Sequence, residues 1–128
     1  MRSSIAGILA PLALGAASSA FACGACLEDK IAATYDYAVA SDAVARHRVV
    51  VFAAVEGPGD ASEGAQALAA AAARVKGVER ASIRTAANPR AISFVLDPKA
   101  ATPEKALAAI SAKSTVHGLT LSLIRVMS

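Results

Sequence analysis

The sequence predicts an α+β fold: a four-stranded antiparallel sheet with two helices on one face, preceded by an extra N-terminal helix. Three observations carry that expectation. Residues 49–55 form an unbroken β-branched-rich run. Two later segments alternate apolar and polar residues on either side of Asn88-Pro89, and two others open with helix-capping residues.

The first 22 residues read as a cleavable signal peptide. Arg2 supplies the positive charge, residues 5–17 carry none, and Ala20-Phe21-Ala22 ends in the small-x-small pattern of a cleavage site. Pro11 interrupts the apolar run and charge returns at Glu28 and Asp29, so the run falls short of the roughly 20 residues that span a bilayer. Export to the periplasm or beyond is expected, with Cys23 as the new N-terminus. An uncleaved anchor is one alternative. A lipid anchor at Cys23 is another, against which stands Phe21, a bulky residue where a lipobox needs a small one. The mass of the mature N-terminus separates the three.

Residues 23–47 form the next unit, holding Cys23-Gly24-Ala25-Cys26 and a leading helix from residue 27 to about 45. Leu27, Ile31, Tyr35 and Val39 fall at steps of four among charged neighbours, which makes this helix amphipathic. Tyr35 and Tyr37 are expected to help pack it. Arg46-His47-Arg48 ends it.

Residues 48–128 form the folded domain. The run 49–55 is a central strand covered on at least one face. Gly57-Pro58-Gly59-Asp60 is a turn, after which Asp60 or Ser62 caps an Ala-rich helix to about Lys76. Leu68, Ala71, Ala72 and Val75 lie on its inner face, and Gly77 stops it. A strand is expected from 78 to 85, a hairpin at Asn88-Pro89, and a second strand through Ile92, Phe94 and Leu96. Thr102 caps a second helix with Pro103 at its first position and Ala106, Leu107 and Ile110 as its stripe. The last strand runs from 119 to 126. Strand, helix, strand, strand, helix, strand is the order of a ferredoxin-like βαββαβ sandwich.

Composition limits the function. Removing 22 of 128 residues leaves 106, enough for one core. The leader takes one of 13 basic residues and none of the 10 acids, leaving a net charge of +2, too small to argue for nucleic acid. Alanine supplies much of the apolar content and there is no Trp, which suits close helix–sheet packing and not an aromatic-lined ligand pocket. No Ser/His/Asp set, phosphate loop or acid–base carboxylate pair stands out, so no catalytic residue is assigned.

The segment KGVERASIRTAANPRAISFVLDPKAATPEKALAAI, residues 76–110, resembles the second half of heavy-metal-associated domains, a family that includes periplasmic mercury-binding proteins and copper chaperones. The matching features are Lys76-Gly77-Val78 before a strand, the hairpin, the strand end Phe94-Val95-Leu96-Asp97-Pro98, and the helix opening Pro103-Glu104. The resemblance spans roughly residues 49–126 and implies metal handling. It breaks at one place. The family carries its Cys-x-x-Cys in the first strand–helix loop, whereas residues 56–63 here (EGPGDASE) contain no thiol, imidazole or thioether.

The only two cysteines are Cys23 and Cys26. A disulfide closing so short a loop removes little chain entropy, so chemistry is the better reason for the pair. Thiols at i and i+3 at a helix start can face one way, and the helix dipole favours thiolate. Two thiolates suffice for copper(I), the first expectation, or mercury(II), the second, whereas zinc needs further ligands. Glu28 and Asp29 oppose thiolate formation but attract a cation. The α-amine of a free Cys23 could join as a nitrogen donor.

The function expected is therefore an exported soft-metal binder or carrier, not an enzyme, with a membrane transporter or another metal-handling protein as partner. The first alternative is a thiol–disulfide redox protein, since Cys-Gly-x-Cys at a helix start resembles such active sites. The second is a structural or interaction module without metal chemistry. His47 and His117 read as turn residues, Met127 as a loose terminal side chain, and Arg80, Arg84 and Arg90 as a solvated hairpin edge.

Overall fold

The computed structural model describes residues 27–128. The expected leader at 1–22 and both cysteines lie outside the described residues. Residues 27–34 are helical (α1), followed by α2 (Tyr37–Ala45), β1 (Val49–Glu56), α3 (Ala61–Ala72), a 3-10 turn (Arg80–Ser82), β2 (Arg84–Ala87), β3 (Arg90–Leu96), α4 (Pro103–Lys113) and β4 (Thr120–Met127). The fold is α+β, with one four-stranded antiparallel sheet in the order β2-β3-β1-β4.

β1 explains its own composition. It is paired on both edges, and residues 50–55 are all buried because both faces of the sheet are covered. Val51, Ala53 and Val55 face a core shared with Leu68, Ala71 and Ala72 of α3, Ala106, Leu107 and Ile110 of α4, and Ile92, Phe94 and Leu96 of β3. Val50 and Phe52 face the other way, into a smaller cluster with Ile31 of α1, Ala40 and Ala43 of α2, and Val95. The apolar run that reads as a covered strand is thus covered twice, by α3 and α4 on one side and by α1 and α2 on the other.

Both expected caps after β1 are present. The Asp60 carboxylate accepts the Glu63 N–H at 3.0 Å, and the Thr102 hydroxyl accepts the Lys105 N–H at 3.2 Å, with Pro103 opening α4. The inner faces predicted for both helices are buried.

Three expectations need correction. The leading helix is two helices, because Asp36 leaves the helical conformation (φ −133°, ψ 113°) and its side chain accepts the Val39 N–H at 3.2 Å. A residue that reads as a charged helix surface is a helix start. In consequence Tyr37 lies 75% exposed among the described residues, while Tyr35 stacks on Phe52 with ring centroids 6.4 Å apart.

The strand expected from 78 to 85 shrinks to β2. Val78 forms a single bridge to Leu96, and the 3-10 turn follows. Ser82 is the cause. Its buried hydroxyl donates to the Glu79 carbonyl at 2.6 Å and accepts the Val95 N–H at 2.8 Å, taking the place of a backbone ladder partner.

α3 ends at Ala72 instead of running to Lys76. Residues 73–76 continue as turns until Gly77, at φ +96°, redirects the chain so that its carbonyl accepts the Asp97 N–H at 2.9 Å.

Candidate functional site

Cys23 and Cys26 lie outside the described residues, so the site is approached through what surrounds it. The described residues open within α1. Ile31 and Thr34 form its buried face, which lies over the sheet. The Glu28 carboxylate accepts from Arg125 Nη2 on β4, at 2.9 and 3.3 Å to its two oxygens. The chain leaving Cys26 is therefore anchored to β4. The same contact pairs the Glu28 carboxylate with a cation at the surface, while Asp29 stays exposed.

The β1–α3 loop, where the resembled family would hold its metal, is closed in another way. Arg90, at the start of β3, donates from Nη1 to the Gly57 carbonyl at 2.8 Å. Its Nη2 is buried against Gly64 of α3 and finds no acceptor among the described residues. A guanidinium held at this loop repels a second cation, so the lack of soft ligands there is reinforced by charge.

The remaining soft donors are not brought together. His47 is an exposed turn residue at φ +59° beside the start of β1, and His117 is exposed before Gly118, near the end of β1. The length of β1 separates them by roughly 25 Å. Met127 is not loose, as its position in sequence suggested, but packs on the smaller apolar cluster with Val39 and Ile124. Among the described residues no three of His, Cys, Asp and Glu gather as a metal site.

The hairpin arginines are engaged instead of forming a solvated edge. Arg84 donates to Asp36 Oδ2 at 3.2 Å and to the Ala81 carbonyl at 2.8 Å, Arg80 to the Ala73 carbonyl at 3.4 Å, and Arg90 to Gly57. Arg84 thereby joins the hairpin to the start of α2. The backbone N–H of Val39, aided by the Arg84 guanidinium, holds the Asp36 carboxyl below the usual carboxylate range.

A charged network that sequence reasoning missed sits at the other end of α2. Arg46 bridges Asp42 and Glu79, and Arg48 lies 3.8 Å from Glu79 and 3.4 Å from Asp97. The hydrogen bonds that Arg46 donates to the Glu79 and Asp42 carboxylates raise its pKa further above the ordinary value. The adjoining cleft, lined by Val39, Asp42, Arg46, Glu79, Ser82 and Val95, measures about 120 Å³. That is below the few hundred Å³ of ordinary ligand pockets, and its charges already satisfy one another. It reads as a structural joint. The Arg46-His47-Arg48 triplet is visible in sequence, but its acceptor 33 residues away is not.

No helix among the described residues is long and apolar enough to cross a membrane. Compared with protein-family models and with curated proteins, the chain matches none.

Proposed function

We propose that this chain is an exported soft-metal binder or carrier of the heavy-metal-associated type, in which Cys23 and Cys26 supply two thiolates to one ion, copper(I) first and mercury(II) second. The order β2-β3-β1-β4, with α3 and α4 packed on one face, supports the ferredoxin-like part of this reading. The observation that carries the site is the anchoring of α1. Arg125 holds Glu28, two residues after Cys26 in sequence, so the chain that follows the cysteine pair is docked on the sheet through α1, and the carboxylate nearest the pair in sequence has a cationic partner.

The chemistry is that of a carrier. Two thiolates bind a soft ion tightly in near-linear geometry yet leave it open to attack by an incoming thiolate, which permits hand-over to a partner such as a membrane transporter. The β1–α3 loop contributes nothing to it, since Arg90 occupies that end of the sheet.

Titration of the reduced protein with copper(I) against a competing chelator is the direct test. Tight binding at one ion per chain, lost when both cysteines become Ser, is expected. Unchanged affinity in that double variant ends the proposal. Turnover of a disulfide substrate would move the reading to thiol–disulfide exchange.

A further inference from the structure

The two faces of the sheet are covered in different ways. α3 and α4 each run between two strands, so the chain fastens them at both ends, and they bury Leu68, Leu107 and Ile110 in the larger core. Among the described residues α1 and α2 are joined to the sheet at one end alone, through Arg46-His47-Arg48 into β1. Their buried apolar contribution is Ile31 and two alanines, Ala40 and Ala43, with Tyr35 stacked on Phe52 from a half-exposed position. Alanine methyls remove little apolar area from water, so this contact stabilises less than the one opposite.

What else fastens this layer is polar. Glu28 pairs with Arg125 of β4 at 2.9 Å, Asp36 with Arg84 of β2 at 3.2 Å, and Arg46 with Glu79 at 2.8 Å. All six side chains are partly exposed, where water and salt screen the attraction. The Thr34 hydroxyl, at the end of α1, is buried without a hydrogen-bond partner among the described residues, a cost that contact with water removes. The one covalent link passes through His47, whose backbone stands in the left-handed region at φ +59°. That conformation is costly for a residue with a Cβ, and unwinding the turn relieves it.

We propose that α1 and α2 form one hinged cover, which swings about the His47 turn and bares the second face of the sheet while the strands, α3 and α4 stay folded. Opening uncovers Val50, Phe52, Val95, Ile124 and Met127, an apolar face that is closed at rest. It breaks three ion pairs and no strand pairing, since α1 and α2 add no strand to the sheet. Sodium chloride screens those pairs and so shifts the cover towards the open state. The device rests on residues 27–48 and the sheet, and is independent of the cysteines.

Native-state hydrogen exchange on the full chain needs no substitution. Amides of α1 and α2 should exchange through one shared opening, about ten-fold or more faster than those of β1 and β3. A thiol placed under the cover reads the same event. With Cys23 and Cys26 changed to Ser, Ser93→Cys puts a thiol beneath α1, where Ser93 donates to the Thr34 carbonyl at 3.2 Å, and Val51→Cys puts one on the opposite face. In native buffer Ser93→Cys should react with a thiol reagent about ten-fold or more faster than Val51→Cys, and salt should widen the gap. Arg125→Gln, on the β4 side, should speed labelling at Ser93→Cys alone, which fraying of β2 beside Ser93 does not predict. Equal labelling at the two positions, no response to Arg125→Gln, or exchange of α1 and α2 only together with the sheet overturns the proposal.

Discussion

Arg46, at the C-terminal cap of α2, grips Glu79 through two parallel hydrogen bonds, 2.8 Å from Nη1 to Oε2 and 2.9 Å from Nη2 to Oε1. Glu79 immediately precedes the 3-10 turn whose Ser82 hydroxyl completes the pairing of β3. The contact therefore ties the helical layer on one face of the sheet to the segment that carries the chain into β2. The fork geometry matches a carboxylate in a way a lysine ammonium cannot.

Arg46→Ala should loosen α2 selectively, read as faster amide exchange over Tyr37–Ala45 than over β1 and β3. Arg46→Lys should restore only part of the protection. Both partners are partly exposed, so the effect on melting is small and shrinks with added salt. Equal loss of protection across the whole sheet would show that the joint is not local.

Asp36 gives a pH dependence. The Val39 N–H, with help from Arg84, lowers its folded pKa below the unfolded value. The stabilisation is then present in full above the unfolded carboxylate value of about 4 and is lost as pH falls through the lower folded value. Wild type should be more stable than Asp36→Asn at neutral pH, and denaturant titrations should show that gap closing below about pH 4. A gap that stays constant into acid would mean that the charge of Asp36 plays no part.

Phe94 is fully buried between the sheet and α3/α4, whereas Tyr37 is 75% exposed. Phe94→Ala should cost about 3–5 kcal/mol in urea unfolding. Tyr37→Ala should stay within about 0.5 kcal/mol of wild type. A large loss at Tyr37 would place it in a contact outside the described residues.

Gly57 sits at φ +143°, and a Cβ there would lie 2.6 Å from the Gly118 carbonyl oxygen, a backbone atom that cannot turn aside. Gly57→Ala should destabilise by about 1–3 kcal/mol. At Gly64 the added Cβ meets the end of the Arg90 side chain at 2.9 Å, which can move, so Gly64→Ala should cost less and should weaken the hold of Arg90 on Gly57. The reverse ranking in thermal melts would show that the loop, and not the arginine, is the adaptable part.

The legible parts of the fold are those with local causes. Asp60 and Thr102 cap the helices they precede, and the stripes at Leu68–Ala72 and Ala106–Ile110 bury as their spacing requires. What misled was also local. Asp36 has the same side chain whether it decorates a helix or caps one, and Ser82 looks like the polar face of a strand until its hydroxyl meets Val95. For the candidate site, the cysteine spacing is a sequence feature throughout, and the structure adds only its flank, the Glu28–Arg125 pair.

By itself the sequence determined the order of helices and strands from β1 onward (though not the bounds of α3 and β2), the absence of soft ligands in the β1–α3 loop, and the cysteine pair as the proposed donor set. Those depend on residue type and short spacing. Only the tertiary structure decided that α1 and α2 cover the second face of the sheet, that Arg46 and Arg90 act as joints and that β4, among the described residues, is the longer of the two edge strands. Each of these depends on residues that the sheet brings together from tens of positions apart, and no local pattern encodes such a meeting.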